Sequence, residues 1–282
     1  MSDTHDFVIS NGVLKGRYMC EHICIPQMVT KIGKNAFMGD LTVKSISIPE
    51  GVTVIEDGAF SDCKNLERVT MPTTMVEIGE SAFKGCTALK KIELYKEIKT
   101  IGDKAFYGCE SLEEIRIPDF ISLYNIKRLG DQSFGNCTSL KSVDLSIMNR
   151  DSYIGTAAFY GCIALKEAFL PCGIKEIPQH FFAGCVSLKN IEIPDSVEMI
   201  GAYAFSSCQN LSEIALPKNL ESIDDGAFFL CRKLKDIDIP DGIVFHCHKG
   251  AFNETPIMKM IDNMTDDFSN VRTNETEKDI DR

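Results

Sequence analysis

The chain has 282 residues, a formal net charge of −11 and 12 cysteines, with hydrophobic residues making up 44% of it. That acid excess argues against a nucleic-acid backbone as partner, and no apolar run is long enough to span a bilayer, so neither nucleic-acid binding nor membrane insertion is expected. The opening MSDTHDFVISNG lacks a basic region followed by an apolar stretch; it does not read as a secretory signal, and a complete chain of this kind is expected in the cytoplasm.

Residues 1–36 are expected to form an N-terminal cap with a first partial repeat, covering the strand edge of the first coil. Ile23, Ile25 and Pro26, then Val29 and Ile32, already follow the pattern seen later in the chain. Cys20 and Cys24 flank Glu21 and His22, and a metal there would need two further ligands that nothing nearby supplies.

From Phe37 to Phe252 one unit is written repeatedly. Phe37, Phe60, Phe83, Phe106, Phe134, Phe159, Phe182, Phe205, Phe228 and Phe252 are separated by 23, 23, 23, 28, 25, 23, 23, 23 and 24 residues. Such a period is the mark of a solenoid. Three residues after most of these Phe comes a Cys, from Cys63 to Cys231, and three further on a Leu, from Leu66 to Leu234. Two apolar residues then stand two apart, as in Ile92 and Leu94, which predicts a half-buried strand. Pro commonly follows and turns the chain out of that strand. A second apolar pair three apart, as in Ile98 and Ile101, predicts a short second extended segment, and a Gly turn leads to the next Ala-Phe. No coil buries its apolar side alone, so stacked coils with parallel strands are expected. The Cys at the repeat position are expected to be small buried thiols facing the core.

The unit resembles the BspA-like branch of the leucine-rich repeats, C-x-x-L-x-x-I-x-(I/L)-P-x-x-(V/I)-x-x-I-(G)-x-x-A-F, over Val13 to about Phe252. The opening DFVISNGVLKGRY is similar to the hairpin that precedes the first coil in that family. The resemblance implies a repeat solenoid: a right-handed β/α-type superhelix, mostly parallel β with short turns or 3-10 segments, of about ten coils. It also implies a non-enzymatic protein-recognition or adhesion role at a cell surface or in secreted form, with a structural spacer or self-assembly unit as the alternative. The expected partner is a protein, and the expected state is a monomer or weak oligomer.

The solenoid is interrupted after Pro118, where DFISLYNIKRLG carries five extra residues, and in the next coil, where SIMNRDSYIG carries two. Insertions at one corner of adjacent coils are expected side by side and are often a binding face. Phe120, Tyr124, Lys127, Arg128, Arg150 and Tyr153 are the candidates there, and Ile121, Leu123 and Ile126 merely covering a widened coil is the plainer account. The strand face is the second candidate, with outward residues that turn acidic from Asp144 onward: Asp144, Glu167, Glu192, Glu213, Asp236 and Asp238, with Phe169 as a lone apolar contact. A row of Lys44, Lys90, Lys141, Lys166, Lys189 and Lys235 runs beside it. Either that row balances a solvated sheet, or the face is a groove for a basic protein segment.

Residues 253–264 are expected to cap the C-terminal end, and 265–282 to form a disordered acidic tail. His246, Cys247 and His248 look like ligands, but in the repeat register Cys247 takes the place of a buried Ile, so the two His point away from it. Asp236 and Asp238 offer too few oxygens for calcium. No P-loop, GxSxG, HExxH or dinucleotide glycine pattern occurs. Neither catalytic residues, nor a cofactor, nor a metal is expected.

Overall fold

The computed structural model describes residues 7–17, 20–116, 126–146, 148–240, 245–258 and 271–273. Its first element is a hairpin, Phe7–Ser10 against Val13–Arg17. The hairpin reverses at Asn11 and Gly12, both with positive φ (51° and 75°), the twist that a two-residue turn between antiparallel strands requires. Val13 and Leu14 then pair in parallel with Lys31 and Ile32, so the hairpin covers the open edge of the first coil.

Each coil contributes three lanes. The second extended segment of the repeat forms the most continuous ladder. Strands Lys31–Ile32, Val54–Ile55, Glu77–Ile78, Thr100–Ile101, Arg128–Leu129 and Tyr153–Ile154 pair in parallel one coil to the next. A second run pairs Glu176–Ile177, Met199–Ile200, Ser222–Ile223 and Phe245–Cys247. Within the stretch expected to be a disordered tail, Val271–Thr273 adds a parallel strand beside Phe245–Cys247. The rest of 265–282 lies outside the described residues.

The other lane holds the three-residue strands, such as Ser45–Ser47, Arg68–Thr70, Lys91–Glu93 and Asp236–Asp238, whose middle residue points inward between two outward ones. A proline ends most of them by opening a tight turn. The carbonyls of Pro26, Pro49, Pro72, Pro194 and Pro217 each accept the N–H three residues on.

The third lane is the turn around each Phe. Its N–H groups alternate between partners: Ala59, Ser61 and Cys63 donate three residues back within their own coil, whereas Gly58, Phe60 and Asp62 donate to Glu80, Ala82 and Lys84 of the next. The alternation needs left-handed residues two before and two after the Phe, as at Ser81 (φ 54°) and Gly85 (φ 71°). Left-handed positions cannot propagate a right-handed helix. Between residues 20 and 257 no described residue is helical, so the expected β/α character is replaced by turns. Ten Phe rungs bound nine turns, rather than the ten coils expected.

The core is the inside of this stack. The Phe rings lie face over face at 4.9–5.9 Å, and those from Phe60 to Phe228 are almost wholly buried. Full burial of one such ring stabilises by roughly 1.5–3 kcal/mol. Beside them the cysteines are free and buried. Each thiol from Cys63 to Cys231, other than the exposed Cys172, donates to the carbonyl of the Phe one coil back, at 3.0 Å for Cys63 to Phe37 and 3.3 Å for Cys185 to Phe159. A thiol therefore satisfies a second lone pair of a buried carbonyl while filling a small gap.

Candidate functional site

With the interior filled, activity is left to the outer faces. On the three-residue strands, register places Ser142 beside Glu167 and Asp144 beside Phe169, and Glu213 beside Asp236 and Ala215 beside Asp238. Asn190 and Glu192 occupy the same repeat positions in the coil between, and all these residues except the middle one of each strand are exposed. Glu167, Glu192, Glu213, Asp236 and Asp238 make no ion pair among the described residues.

The adjoining column changes character along the rod. In its first half, acid and base alternate: Lys44 meets Glu21 at 2.9 Å, Lys90 meets Glu67 at 3.5 Å and Lys141 meets Glu113 at 2.5 Å. The hydrogen bonds from Lys44 and Lys141 hold the Glu21 and Glu113 carboxyls below the ordinary carboxylate value. Beyond Lys141 the column reads Lys166, Lys189, Ser212 and Lys235, and those lysines make no ion pair among the described residues. The ion pairs of this column are therefore between its own acids and bases and lie in the N-terminal half, whereas the strand face turns acidic from Asp144 onward.

In the C-terminal half the face is also hollowed. Phe169 is 54% exposed and forms one wall of an open depression of about 420 Å³. Ala168, Ile191 and Ile214 line its floor, Glu167, Glu192 and Glu213 its rim, and Asn190 and Ala215 its sides. A second depression of about 530 Å³ shares Ala168, Phe169 and Glu192 and continues past Cys172 and Gly173 to Pro194. In its own column Phe169 stands between Asp144 and Glu192, with Ala215 one coil further on. Sequence reasoning singled out Phe169 and the carboxylates, but not Ala168, Cys172 or Ala215; their smallness beside a bulky neighbour in the same column was the available signal.

The insertion-loop candidates divide differently. Phe120 and Tyr124 lie outside the described residues. Lys127 is exposed, and Arg150 is exposed and meets Asp151 at 3.7 Å. Arg128 and Tyr153 are brought together in register, but inside a network: Arg128 Nη2 lies 2.5 Å from Asp103 Oδ1, its guanidinium sits 4.6 Å from the Tyr153 ring centre, and Tyr153 donates to Asp131 at 2.9 Å. That hydrogen bond raises the Tyr153 phenol above its ordinary value. These two side chains tie adjacent coils together.

At the ends of the rod, Cys247 is 3% exposed, inside the core beside Ile223. His248 faces out and meets Asp225 at 2.9 Å. His22 bonds Ser45 at 2.8 Å, and the Cys20 thiol bonds the His22 carbonyl at 3.0 Å. Among the described residues, no group of three or more His, Cys, Asp or Glu is placed to hold a metal, and no helix is long and apolar enough to cross a membrane.

Among solved structures, a leucine-rich repeat protein of T. pallidum is 23% identical, with 74% of this chain and 90% of that one covered and a TM-score of 0.51. A leucine-rich cell surface protein of Faecalibacterium prausnitzii is 24% identical, covering 84% and 93% with a TM-score of 0.47. The pneumococcal vaccine antigen PcpA is 19% identical, covering 92% and 80% with a TM-score of 0.49. At 23% identity the likeness to the T. pallidum protein concerns the fold alone. A comparison with curated proteins finds no match. The profile of the BspA type leucine rich repeat region matches in 6 copies over residues 8–141 and 127–259, a span that holds every Phe rung from Phe37 to Phe252, and the chain therefore belongs to the BspA-type leucine-rich repeat family.

Proposed function

We propose that this chain is a non-enzymatic recognition module that takes an extended, basic protein segment on the C-terminal half of its strand face. The observation that carries the reading is the Phe169 depression, where an exposed aromatic stands among three carboxylates that have no cation. An aromatic wall supplies apolar contact at low entropic penalty, and aromatics dominate binding energetics at protein surfaces. Glu192 lies diagonal to Glu167 and Glu213 on adjacent coils, and Glu213 stands directly beside Asp236; like charges so placed repel one another, and a lysine or arginine side chain of a partner relieves that repulsion. The N-terminal half, with its column of alternating signs, offers no such gain.

The test is fluorescence anisotropy with a labelled hexapeptide alternating lysine and valine, against the same peptide with glutamate for lysine. Saturable binding of the lysine peptide is expected, weakening roughly tenfold or more from low to 0.5 M salt as charges are screened. Phe169→Ser and a Glu167→Gln, Glu192→Gln, Glu213→Gln triple variant are each expected to weaken it about tenfold, since one lost hot-spot contact is worth about 1.4 kcal/mol or more. Equal binding of both peptides, or binding indifferent to these substitutions, sinks the assignment.

A further inference from the structure

We infer that the junction between the coil ending at Leu170 and the coil beginning at Gly173 is a seam where the solenoid opens locally ahead of its neighbours, and that a partner seated in the Phe169 depression holds it shut. The second half rests on the recognition role proposed above; the first stands without it.

All three lanes weaken at this one junction. In the most continuous ladder, Gly155 donates to Leu129 at 2.7 Å and Gly201 to Ile177 at 2.9 Å. The residue in that column between them is Pro178, which has no N–H to give. Accordingly Tyr153–Ile154 ends one sheet and Glu176–Ile177 begins another, the only break in that ladder among the described residues between Val13 and Cys247.

In the Phe lane, the position before the Phe is Ala or Ser in every coil except this one, where it is Phe181. Phe181 is 1% exposed, so its ring is forced into the stack, edge-on to Phe159 at 5.5 Å. Phe159 and Phe182 are 5.9 Å apart, the widest rung spacing, with 5.7 Å at the rung on either side and 4.9 Å for Phe37 and Phe60. The Phe159 N–H reaches the Phe181 carbonyl at 3.1 Å, where the equivalent bond of Phe83 is 2.7 Å.

In the three-residue lane, residues 190–192 form no strand, and the backbone groups of Asn190, Ile191 and Glu192 bond to neither neighbouring coil. That lane is also unpaired between Thr70 and Lys91 and between Arg116 and Ser142, but both strands persist there. The backbone donors left across the junction are Ala157, Phe159, Gly161 and Ser187. In a stacked repeat, stability is a sum over nearest-neighbour contacts, so the junction with the fewest bonds opens first.

The depression lies over this seam. Glu167 and Phe169 belong to the coil before it, Ile191 and Glu192 to the coil after it, and Glu213 and Ala215 to the next. A segment touching all three binds the closed form alone, and at a concentration 100 times its Kd suppresses opening about 100-fold.

Hydrogen exchange read by mass spectrometry on the full chain separates the two halves. Without ligand, amides of 176–177 and 190–193 are expected to exchange at least about tenfold faster than those of 100–101 and 91–94, as a locally opening unit does. Uniform exchange across the coils overturns the seam. Pro178→Gly restores the missing donor and is expected to slow exchange at 176–177; Phe181→Ala, which matches the other coils, is expected to slow 190–193, and exchange unchanged in both variants overturns the cause assigned. With the lysine-valine hexapeptide bound, slowed exchange at 190–193 supports the clamp and unchanged exchange overturns it. Absence of peptide binding overturns the clamp together with the recognition role, while the ligand-free result still decides the seam.

Discussion

The thiol ladder makes the fold sensitive to alkali, and the size of the effect follows from burial. Desolvation pushes the Cys162, Cys231 and Cys247 thiols up to about 12. It pushes Cys86, Cys109, Cys137, Cys185 and Cys208 well above the ordinary value as well. A group whose value is raised by folding contributes stability in full below its unfolded value, near 8.5 for cysteine, and that contribution is lost as pH climbs toward the folded value. At pH 9.5 each thiol favours the unfolded chain by about 1.4 kcal/mol, so the eight together favour it by about 11 kcal/mol. That is comparable with the whole stability of an ordinary domain, about 5–15 kcal/mol. Urea unfolding followed by circular dichroism at about pH 7.5, 8.5 and 9.5, in reductant, is expected to show stability collapsing across this window and returning on neutralisation. A Cys109→Ala, Cys162→Ala variant starts lower at neutral pH but is expected to lose about 3 kcal/mol less between the first and last of these values. Native ellipticity that persists to about pH 10.5, or the same pH slope in parent and variant, refutes the reasoning.

Three substitutions test the packing separately. Ser133 stands in the alanine column, 0% exposed, and its hydroxyl has no hydrogen-bond partner; Ser133→Ala is expected to raise stability by about 1 kcal/mol in urea unfolding. Phe83 stacks on Phe60 at 5.0 Å and on Phe106 at 5.2 Å, and Phe83→Ala is expected to remove about 3–5 kcal/mol, a loss under about 1.5 kcal/mol counting against a close-packed stack. At Gly108 (φ 71°) an added methyl would meet nothing closer than 3.9 Å, so Gly108→Ala is expected to be destabilising by only about 1 kcal/mol, the left-handed penalty without a clash.

Much of this molecule is legible from spacing. The Phe, Cys and Leu columns, the outward residues of the three-residue strands and the burial of Cys247 in an isoleucine position all follow from the repeat register. The reason is that in a stack every residue's neighbours are its counterparts one unit away, so alignment of units is already a contact list. Site candidates were less legible. Arg128 and Tyr153 read as residues that could engage a partner because both sit in insertions, and the spacing does not show that Asp103 and Asp131 of neighbouring coils bind them. Phe169 and Glu192 read correctly as outward residues, but the hollow between them depends on side-chain lengths across three coils.

The one-dimensional pattern determined which residues are stacked and which face water, because that needs only a period and an alternation of apolar and polar side chains. How well each coil meets the next was decided by the tertiary structure alone. Pro178 and Phe181 are visible as departures from the repeat, but whether such departures are absorbed or open the ladders depends on displacements of about an ångström, as from 4.9 Å to 5.9 Å between the ring centres of successive rungs. Hydrogen bonds and close packing respond steeply to such distances, and a residue alphabet does not record them.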